Sequence, residues 1–472
     1  MSPSWPLLAA RDLDAPIAWR AGVPVSGRQF LVDAQRQAEQ LPAGGPVVNL
    51  CVDRYRFTVG LAAALLRGHT SLLPPNALPD TLARLQEPGS QVYGLVDDAA
   101  LVAPGLPLLR VLNATGPHGL QGLTAADLQA ALDMPQISST QSAACLLTSG
   151  STGAPQPHAK SWGTLVQNID AAARRLAEIL GWPTLAGLSI VATVPPQHSY
   201  GFESSVLLAL LGGAAFDSGR PYFPADIAQA LARVPRPRAL VTTPFHLKTL
   251  LQSGVALPQV DLLLSATAPL SPQLALQAER ALGAPMIEIY GCTEAGQVAP
   301  RRTVLTEVWH CFDGLSLQRD GEGGGDGDGE AAGKPFERFS VQGGHVSEPT
   351  ALADALQLAD AQHFRLLGRS NDLIHVAGKR SSLAHLNYHL NSIEGVLDGA
   401  FWLPIEPPDG VVRTIAFVVA PTLSAQQLIA ALRSRIESVF VPRRVVHCES
   451  LPREATGKLT DQALRAMALG LS

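Results

Sequence analysis

Six consecutive residues, Thr148-Ser149-Gly150-Ser151-Thr152-Gly153, are all small, hydroxylated or glycine. They cannot build a core, but they can wrap a chain of phosphates. Glycine lets the backbone come close with its N–H groups pointing inward, and the hydroxyls donate further hydrogen bonds. A solvated Ser/Gly turn is the plain alternative. A Walker loop is excluded, because no Lys directly follows Gly153. Other clusters follow along the chain. Pro195-Pro-Gln-His198-Ser-Tyr200-Gly201-Phe202 offers an imidazole and a ring at a turn. Ser265-Ala266-Thr267-Ala268-Pro269 is small enough for a flat ring to lie against its backbone. Tyr290-Gly291-Cys292-Thr293-Glu294 supplies a ring for stacking and a carboxylate suited to Mg²⁺. Taken singly, such a His reads as structural and such a Glu as a cap or surface ion pair. Asp354, Gly368-Arg369-Ser-Asn371-Asp372, Gly378-Lys-Arg380 and Pro452-Arg-Glu-Ala-Thr-Gly457-Lys458 complete the series.

Strands and helices in alternation must position these groups. Ala143–Leu147 reads as a buried strand leading into the Ser/Gly loop, and Ser161–Leu180 as a long helix after it. Pro46–Val52, Leu188–Val194, Ala239–Thr243, Leu262–Ser265 and Met286–Tyr290 read as strands, with a helix over Tyr55–Arg67. The pattern predicts an α/β fold: a large multilayer N-terminal domain over residues 1–368. A small α+β domain over 369–472 follows, with Leu373–Val376 and Thr414–Ala420 as extended runs. Its helices are expected over Leu383–Ile393 and Ser424–Val439. Asp320–Lys334, rich in Gly, Asp and Glu, is expected to be a mobile surface loop.

The chain has 472 residues, 46% hydrophobic and 16% charged, the composition of an ordinary globular protein with ample core. A formal charge of −5 argues against nucleic acid as the main partner. No apolar run is long enough to span a membrane and no leader is visible, so a cytoplasmic location is expected. The five cysteines lack metal spacing and read as reduced thiols. Lysine is scarce, five against 30 Arg, and Lys160, Lys379 and Lys458 all fall inside the segments above.

As an ordered set, these segments resemble the adenylate-forming superfamily of acyl- and aryl-CoA synthetases, peptide-synthetase adenylation domains and luciferases. The family's pattern is T-S-G-[ST]-T-G-x-P, Y-G-x-T-E, a distant D, G-R-x-D, G-x-R and P-x-x-x-x-G-K. Here Thr148–Pro155, Tyr290–Glu294, Asp354, Arg369, Gly378–Arg380 and Pro452–Lys458 answer to it, over about residues 140–465. The resemblance implies ATP and Mg²⁺ as cofactors and an active site in the cleft between the domains. Thr148, Ser149, Gly150, Ser151, Thr152 and Gly153 would hold the β- and γ-phosphates, and Ala266 and Gly291 would lie against the nucleotide. Tyr290 would stack on adenine and Glu288 accept from its amino group. Asp354 would take the ribose hydroxyls with Arg369 beside it. Glu294 would coordinate the metal with Thr148 or Thr293. Lys458, with Glu294, His198 and Arg369, makes the catalytic set; Asn371 would be the hinge, and Gly378 and Arg380 would face the thiol.

Departures from the pattern carry information. The family's P-K-G is Pro155-Gln156-Pro157-His158-Ala-Lys160 here, so Lys160 or His158 is expected to replace the absent phosphate-contacting lysine. The hinge Asp is Asn371, and E-I-E becomes His385-Leu386-Asn387. This variant is similar to the stand-alone ligases of bacterial aryl-polyene (xanthomonadin-like) pigment clusters, which load an aromatic acid onto an acyl carrier protein. The expected activity is therefore activation of a carboxylic acid as its adenylate and transfer to a phosphopantetheine thiol. No carboxylate follows Tyr200 until Glu203, so the acid should lack an α-amino group. Pocket walls are expected from His198, Tyr200, Phe202, Phe245 and Ala268. A fatty or aryl acyl-CoA synthetase is the alternative enzyme. A non-catalytic adenylate-binding partner protein is the alternative of another class.

Overall fold

A computed structural model describes residues 3–85, 91–98, 103, 105–111, 133–149, 155–323, 336–369, 373–376, 379–403, 414–453 and 459–469. Two sheets form the large N-terminal domain. The first runs Pro155–Ser161, Ser142–Ser149, Ser71–Leu73, Val47–Asn49, Tyr93–Val96, Leu108–Arg110, parallel except for the antiparallel Pro155–Ser161 edge. The second runs Gly296–Arg302, Met286–Cys292, Leu262–Ser265, Arg238–Thr242, Ser189–Ala192, Ala215–Asp217, Pro16–Arg20, Val23–Ser26. Its central strands are parallel and both edges are closed by an antiparallel strand. Because the central strands are covered on both faces, they read as continuous apolar runs such as Leu262-Leu-Leu-Ser265.

The helix Trp162–Leu180 touches strands of both sheets. Ser161 caps it through Thr164 N at 3.2 Å, and Gly181 ends it in the left-handed conformation at φ 68°. Trp162 and Ile169 are fully buried in a core shared with Phe30, Phe57 and Phe216. One core thus joins both sheets. Residues Ile374 to Phe440 have an apolar cluster of their own, around Phe401, Leu428 and Leu432. It fills a smaller C-terminal sheet domain of Asp398–Trp402, Ile415–Val419 and Arg444–His447 with the helices Leu383–Asn391 and Ala425–Arg433.

Two expectations need correction. Asp320–Gly323 belong to the strand Leu315–Gly323, paired antiparallel with Phe336–Gly343, so the acidic glycine segment begins inside a hairpin. Its residues 324–334 lie outside the described residues. The helix expected to run to Val439 ends at Arg433, with Ser434 as its cap and a separate turn over Ser438–Phe440. That break lets both Ile436 and Phe440 return to the small core. The apolar stretch Val206–Phe216 is no single element: it closes a π-helix over Phe202–Leu207, makes one α-turn and enters the strand Ala215–Asp217.

Arg54, the first residue of the helix Arg54–Leu66, is fully buried. Its guanidinium donates to Val194 O and Gly219 O at 2.7 Å, to Ser205 Oγ at 3.0 Å and to Ala192 O at 3.4 Å. A first-sheet helix is thereby tied to three segments of the second sheet. Arg54→Met keeps much of the volume but leaves these acceptors dry and unpaired. It should cost about 2–4 kcal/mol, read as a lower urea midpoint at constant slope. A shift worth less than about 0.5 kcal/mol would show the contacts to be incidental.

Candidate active site

Chain ends of both sheets converge on one set of groups. The strand Ser142–Ser149 carries Thr148 at its end, and antiparallel pairing brings Pro155–Ser161 back alongside, with His158 opposite Leu146. His158 Nε2 lies 3.2 Å from Thr148 Oγ1 and 3.7 Å from Glu294 Oε1. Thr148 and Glu294, expected as partners although 146 residues apart, thus flank one imidazole. Glu294 lies at the turn between Met286–Cys292 and Gly296–Arg302, its carboxylate side chain 46% exposed. Lys160, on the same face of its strand as His158, donates to the backbone oxygen of Glu294. Its ammonium also feels Glu203, while burial pulls its pKa below the ordinary lysine value. Lys160 is therefore spent behind the Glu294 turn, and His158 is the basic group beside Thr148. Residues 150–153 lie outside the described residues, as does the Ser149 side chain.

Tyr290 donates from its hydroxyl to Asp354 Oδ2 at 2.8 Å, so the expected stacking ring and ribose carboxylate meet. The Tyr290 ring packs against Phe364 and Trp309, with centroids 5.5 and 5.8 Å away. Asp354 faces Arg369 across the antiparallel pair Asp354–Leu358 and His363–Arg369. Gly291 and Thr293 follow Tyr290 at the strand end; a Cβ on Gly291 would meet Gly296 O at 2.4 Å, so only glycine fits. After Leu262–Ser265, Ala266 is buried and Thr267 has φ 78°. A β-branched residue held there stores backbone strain, a frequent property of binding loops.

Glu288 overturns one expectation. It is buried, and Oε1 accepts from Leu270 N at 2.9 Å. Oε2 accepts from Arg301 Nη2 at 2.7 Å, Arg301 Nε at 2.8 Å and Thr303 Oγ1 at 2.9 Å. A carboxylate so saturated braces the strand end and has no role left as an adenine acceptor. Phe202 overturns another: it is wholly buried against Phe57, with centroids 6.3 Å apart, as core and not pocket wall.

His198 caps the short turn before the π-helix, and Phe202 N donates to its carbonyl at 2.7 Å. A Cβ on Gly201 would strike Pro195 O at 2.0 Å, so glycine there keeps this turn against its strand. Burial, then the nearby Arg220 charge, lowers the His198 pKa to about 4. Phe245 lies under the Arg453 guanidinium at 5.8 Å, and Arg453 pairs with Asp398 at 2.7 Å. The segment that leads to Lys458 thus begins over the turn after Arg238–Thr242. Lys458, Asn371 and Gly378 lie outside the described residues. Arg380 lies in Lys379–Ser382, opposite His375, and its side chain is likewise undescribed. Sequence reading passed over Arg54 and Asn168; buried polar side chains inside apolar helical runs leave no periodic signal.

Thr148, His158 and Glu294 thus meet at strand ends of a large α/β domain, and Tyr290 pairs with Asp354. The sequence pattern of the AMP-binding enzyme family matches residues 99–314. The 4-coumarate–CoA ligase of Halorhodospira halophila is 30% identical over 320 residues, 66% of this chain and 73% of that protein. The 4-hydroxybenzoate–CoA/benzoate–CoA ligase of Rhodopseudomonas palustris is 25% identical, covering 83% of this chain and 77% of its own length. The anthranilate CoA ligase AuaEII in complex with anthranoyl-AMP has a similar fold, with TM-score 0.77, 16% identity and coverage of 97% and 95%. The chain belongs to the AMP-binding, adenylate-forming enzymes and is an ATP-dependent, AMP-forming acid–thiol ligase. Among the described residues no helix is long and apolar enough to cross a membrane.

The lowered His198 pKa has a testable consequence. Unfolding restores its ordinary value of 6.5, so between about pH 6.5 and 4 the unfolded chain binds more protons. Stability attributable to His198 is present at neutral pH and falls as the pH falls through that window. Between pH 7 and 5 the His198→Asn variant should therefore lose about 2 kcal/mol less stability to urea than the parent. Equal losses would mean that His198 titrates normally in the fold.

Proposed function

We propose that this ligase activates a hydroxylated aromatic acid and delivers it to the phosphopantetheine thiol of an acyl carrier protein, in pigment or related biosynthesis in the cytoplasm. The single observation behind the activation step is the meeting of Thr148, His158 and Glu294 within 3.7 Å. In the first half-reaction a carboxylate oxygen of the acid attacks the α-phosphorus of ATP and pyrophosphate leaves. In the second a thiolate attacks the acyl carbon and AMP leaves. The proposed division of labour is 1–368 for nucleotide and acid, and 369–472 with its hinge at Asn371 for Lys458 and then Gly378 and Arg380.

Thr148–Gly153 would line the phosphates, Ala266, Tyr290 and Gly291 the base, and Asp354 with Arg369 the ribose. Tyr290 and Asp354 hold one another in place before nucleotide arrives. Oxygen donors of Glu294 and Thr148, with Thr293 adjacent, suit Mg²⁺. Among the described residues no group of three or more His, Cys, Asp or Glu could hold a metal ion. When bound, Mg²⁺ would offset the repulsion between carboxylate and phosphate. Lys458 would add a positive charge at the same place during chemistry only.

Relatives that act on 4-coumarate and 4-hydroxybenzoate support an aryl acid. The changes at Gln156 and at His385-Leu386-Asn387 support a carrier protein as acceptor. Free CoA is the second reading, favoured by the CoA ligases among its relatives.

Lys458→Ala should cut carboxylate-dependent pyrophosphate release at least 100-fold while the dissociation constant for ATP stays within about threefold. Near-normal release would remove Lys458 from the mechanism. In a competition among acids and acceptors, 4-hydroxybenzoate or a hydroxycinnamate on a carrier protein should outpace octanoate or any amino acid on CoA. If octanoate with CoA is the best pair, the aryl acid and the carrier protein both fall and only the ligase class stands.

A further inference from the structure

The segment that leads to Lys458 is tied down before it reaches that residue. Leu451 is buried in an apolar cluster with Ala400, Phe417 and Leu464 of the small domain. Arg453 N donates to Leu451 O at 2.8 Å, so the chain turns tightly at Pro452. The Arg453 guanidinium then grips Asp398 as a fork, Nε to Oδ2 and Nη2 to Oδ1, each at 2.7 Å. Asp398 Oδ1 also accepts from Gly399 N at 2.8 Å, which fixes the carboxylate at the start of the strand Asp398–Trp402. A two-toothed pair of this kind sets orientation as well as charge.

The other side of the contact belongs to the large domain. Phe245 and Lys248 stand three residues apart on the helix Pro244–Gln252, and so on one face of it. The Arg453 guanidinium lies 5.8 Å from the centre of the Phe245 ring. The Lys248 ammonium is buried and has no hydrogen-bond partner among the described residues. Burial pulls its pKa to about 8; Asp398 opposes that fall and Arg453 adds to it. Asp398 therefore answers two cations, one from each domain. A buried ammonium without a hydrogen bond is unfavourable by itself and is tolerated where a carboxylate stands close. If Arg453 and Asp398 only braced the small domain, they would need neither the Phe245 ring nor that ammonium beside them.

We propose that this contact docks the small domain onto the Phe245 helix during the activation step, with Arg453 and Asp398 as positioning residues for Lys458 and Asp398 as the shared counter-charge across the domain boundary. The inference rests on the role proposed for Lys458 above. Arg453 precedes Lys458 by five residues, so the lysine is leashed to this contact by at most about 18 Å of extended chain. The contact acts on Lys458 through the chain and not on the reacting atoms. Its effect is to raise the fraction of molecules in which the lysine is placed for the first half-reaction. Transfer to the thiol, for which Gly378 and Arg380 are proposed, has no need of it.

The test separates the two half-reactions, with 4-hydroxybenzoate or, if another acid in the competition above is faster, that acid. Asp398→Asn should lower kcat for carboxylate-dependent pyrophosphate release at least about tenfold, with the KM for ATP within about twofold. Arg453→Lys keeps the charge but loses the fork, and should lower kcat at least about fivefold. Consumption of the preformed acyl-adenylate by CoA or holo carrier protein, whichever acceptor the parent uses, should stay within about twofold in both variants. Lys248→Met alone should change pyrophosphate release less than about twofold. Combined with Asp398→Asn it should raise the rate at least about threefold over Asp398→Asn, because it removes the cation left facing Arg453. Equal falls in both half-reactions mark a brace of the small domain and overturn the docking. So does a double variant no faster than Asp398→Asn alone. Near-normal pyrophosphate release by Lys458→Ala instead removes the role on which the contact rests, whatever Arg453 does.

Discussion

A guanidinium without water around it holds this architecture together. Arg54 gives its hydrogen bonds mainly to backbone carbonyls, at Val194, Gly219 and Ala192, and to the hydroxyl of Ser205. These acceptors lie where second-sheet strands end and the His198 and Gly219 turns begin. Carbonyls at strand ends have lost their ladder partners, so a buried multi-donor fork is an efficient way to satisfy several together. Burial pulls the Arg54 pKa to about 10, and the Asp217 carboxylate opposes that pull, so the group stays charged at neutral pH. The two sheets are thus registered where the substrate turns leave them. Phe57, from the same helix, adds an apolar contact to Phe202, which is 145 residues away in sequence but adjacent in the core.

The same economy governs the surroundings of Tyr290. Glu288 is consumed by Arg301, Thr303 and the Leu270 amide, which fixes the end of the Met286–Cys292 strand before any ligand arrives. Arg301 is itself stacked over Trp309 at 4.3 Å, and Trp309 lies nearly parallel to Phe364. Tyr290 rests on that aromatic platform and reaches Asp354 with its hydroxyl. A buried ion pair therefore serves as a brace for a ring, and the ring orients a carboxylate. Preorganisation of this kind lowers the entropy lost on binding, although none of the bracing groups need touch the nucleotide.

Much of this was legible in order and little of it in depth. Leu262-Leu-Leu-Ser265 and Met286–Tyr290 read as strands because parallel strands covered on both faces are apolar throughout. Tyr290, Glu294, Asp354 and Thr148 were readable as a set through the order and spacing of the motifs that carry them. Glu288 was misread because strand alternation locates a carboxylate but not the arginine opposite it on the next strand that occupies it. Phe202 was misread for the converse reason: an aromatic beside a functional turn fills core and pocket equally well in a one-dimensional pattern. Arg54 and Asn168 left no trace, since the partners of a buried polar group are distant in sequence. The π-helix at Phe202 was hidden for a different cause, because its extra residue per turn blurs the apolar period.

His158 and Lys160 show how a changed motif redistributes charge. They share a face of one edge strand, and both approach Glu294, one at its carboxylate and one at its carbonyl. A lysine at position 156 would put a permanent, mobile charge near the Ser/Gly loop. An imidazole at position 158 offers instead a short, rigid group that bridges Thr148 and Glu294. The ammonium at position 160 is turned to the Glu294 carbonyl and toward Glu203. A buried lysine demands a counter-charge, and Glu203 supplies it from the helix that follows the His198 turn. One edge strand thus sends an imidazole to the Glu294 carboxylate and an ammonium toward the Glu294 carbonyl and Glu203.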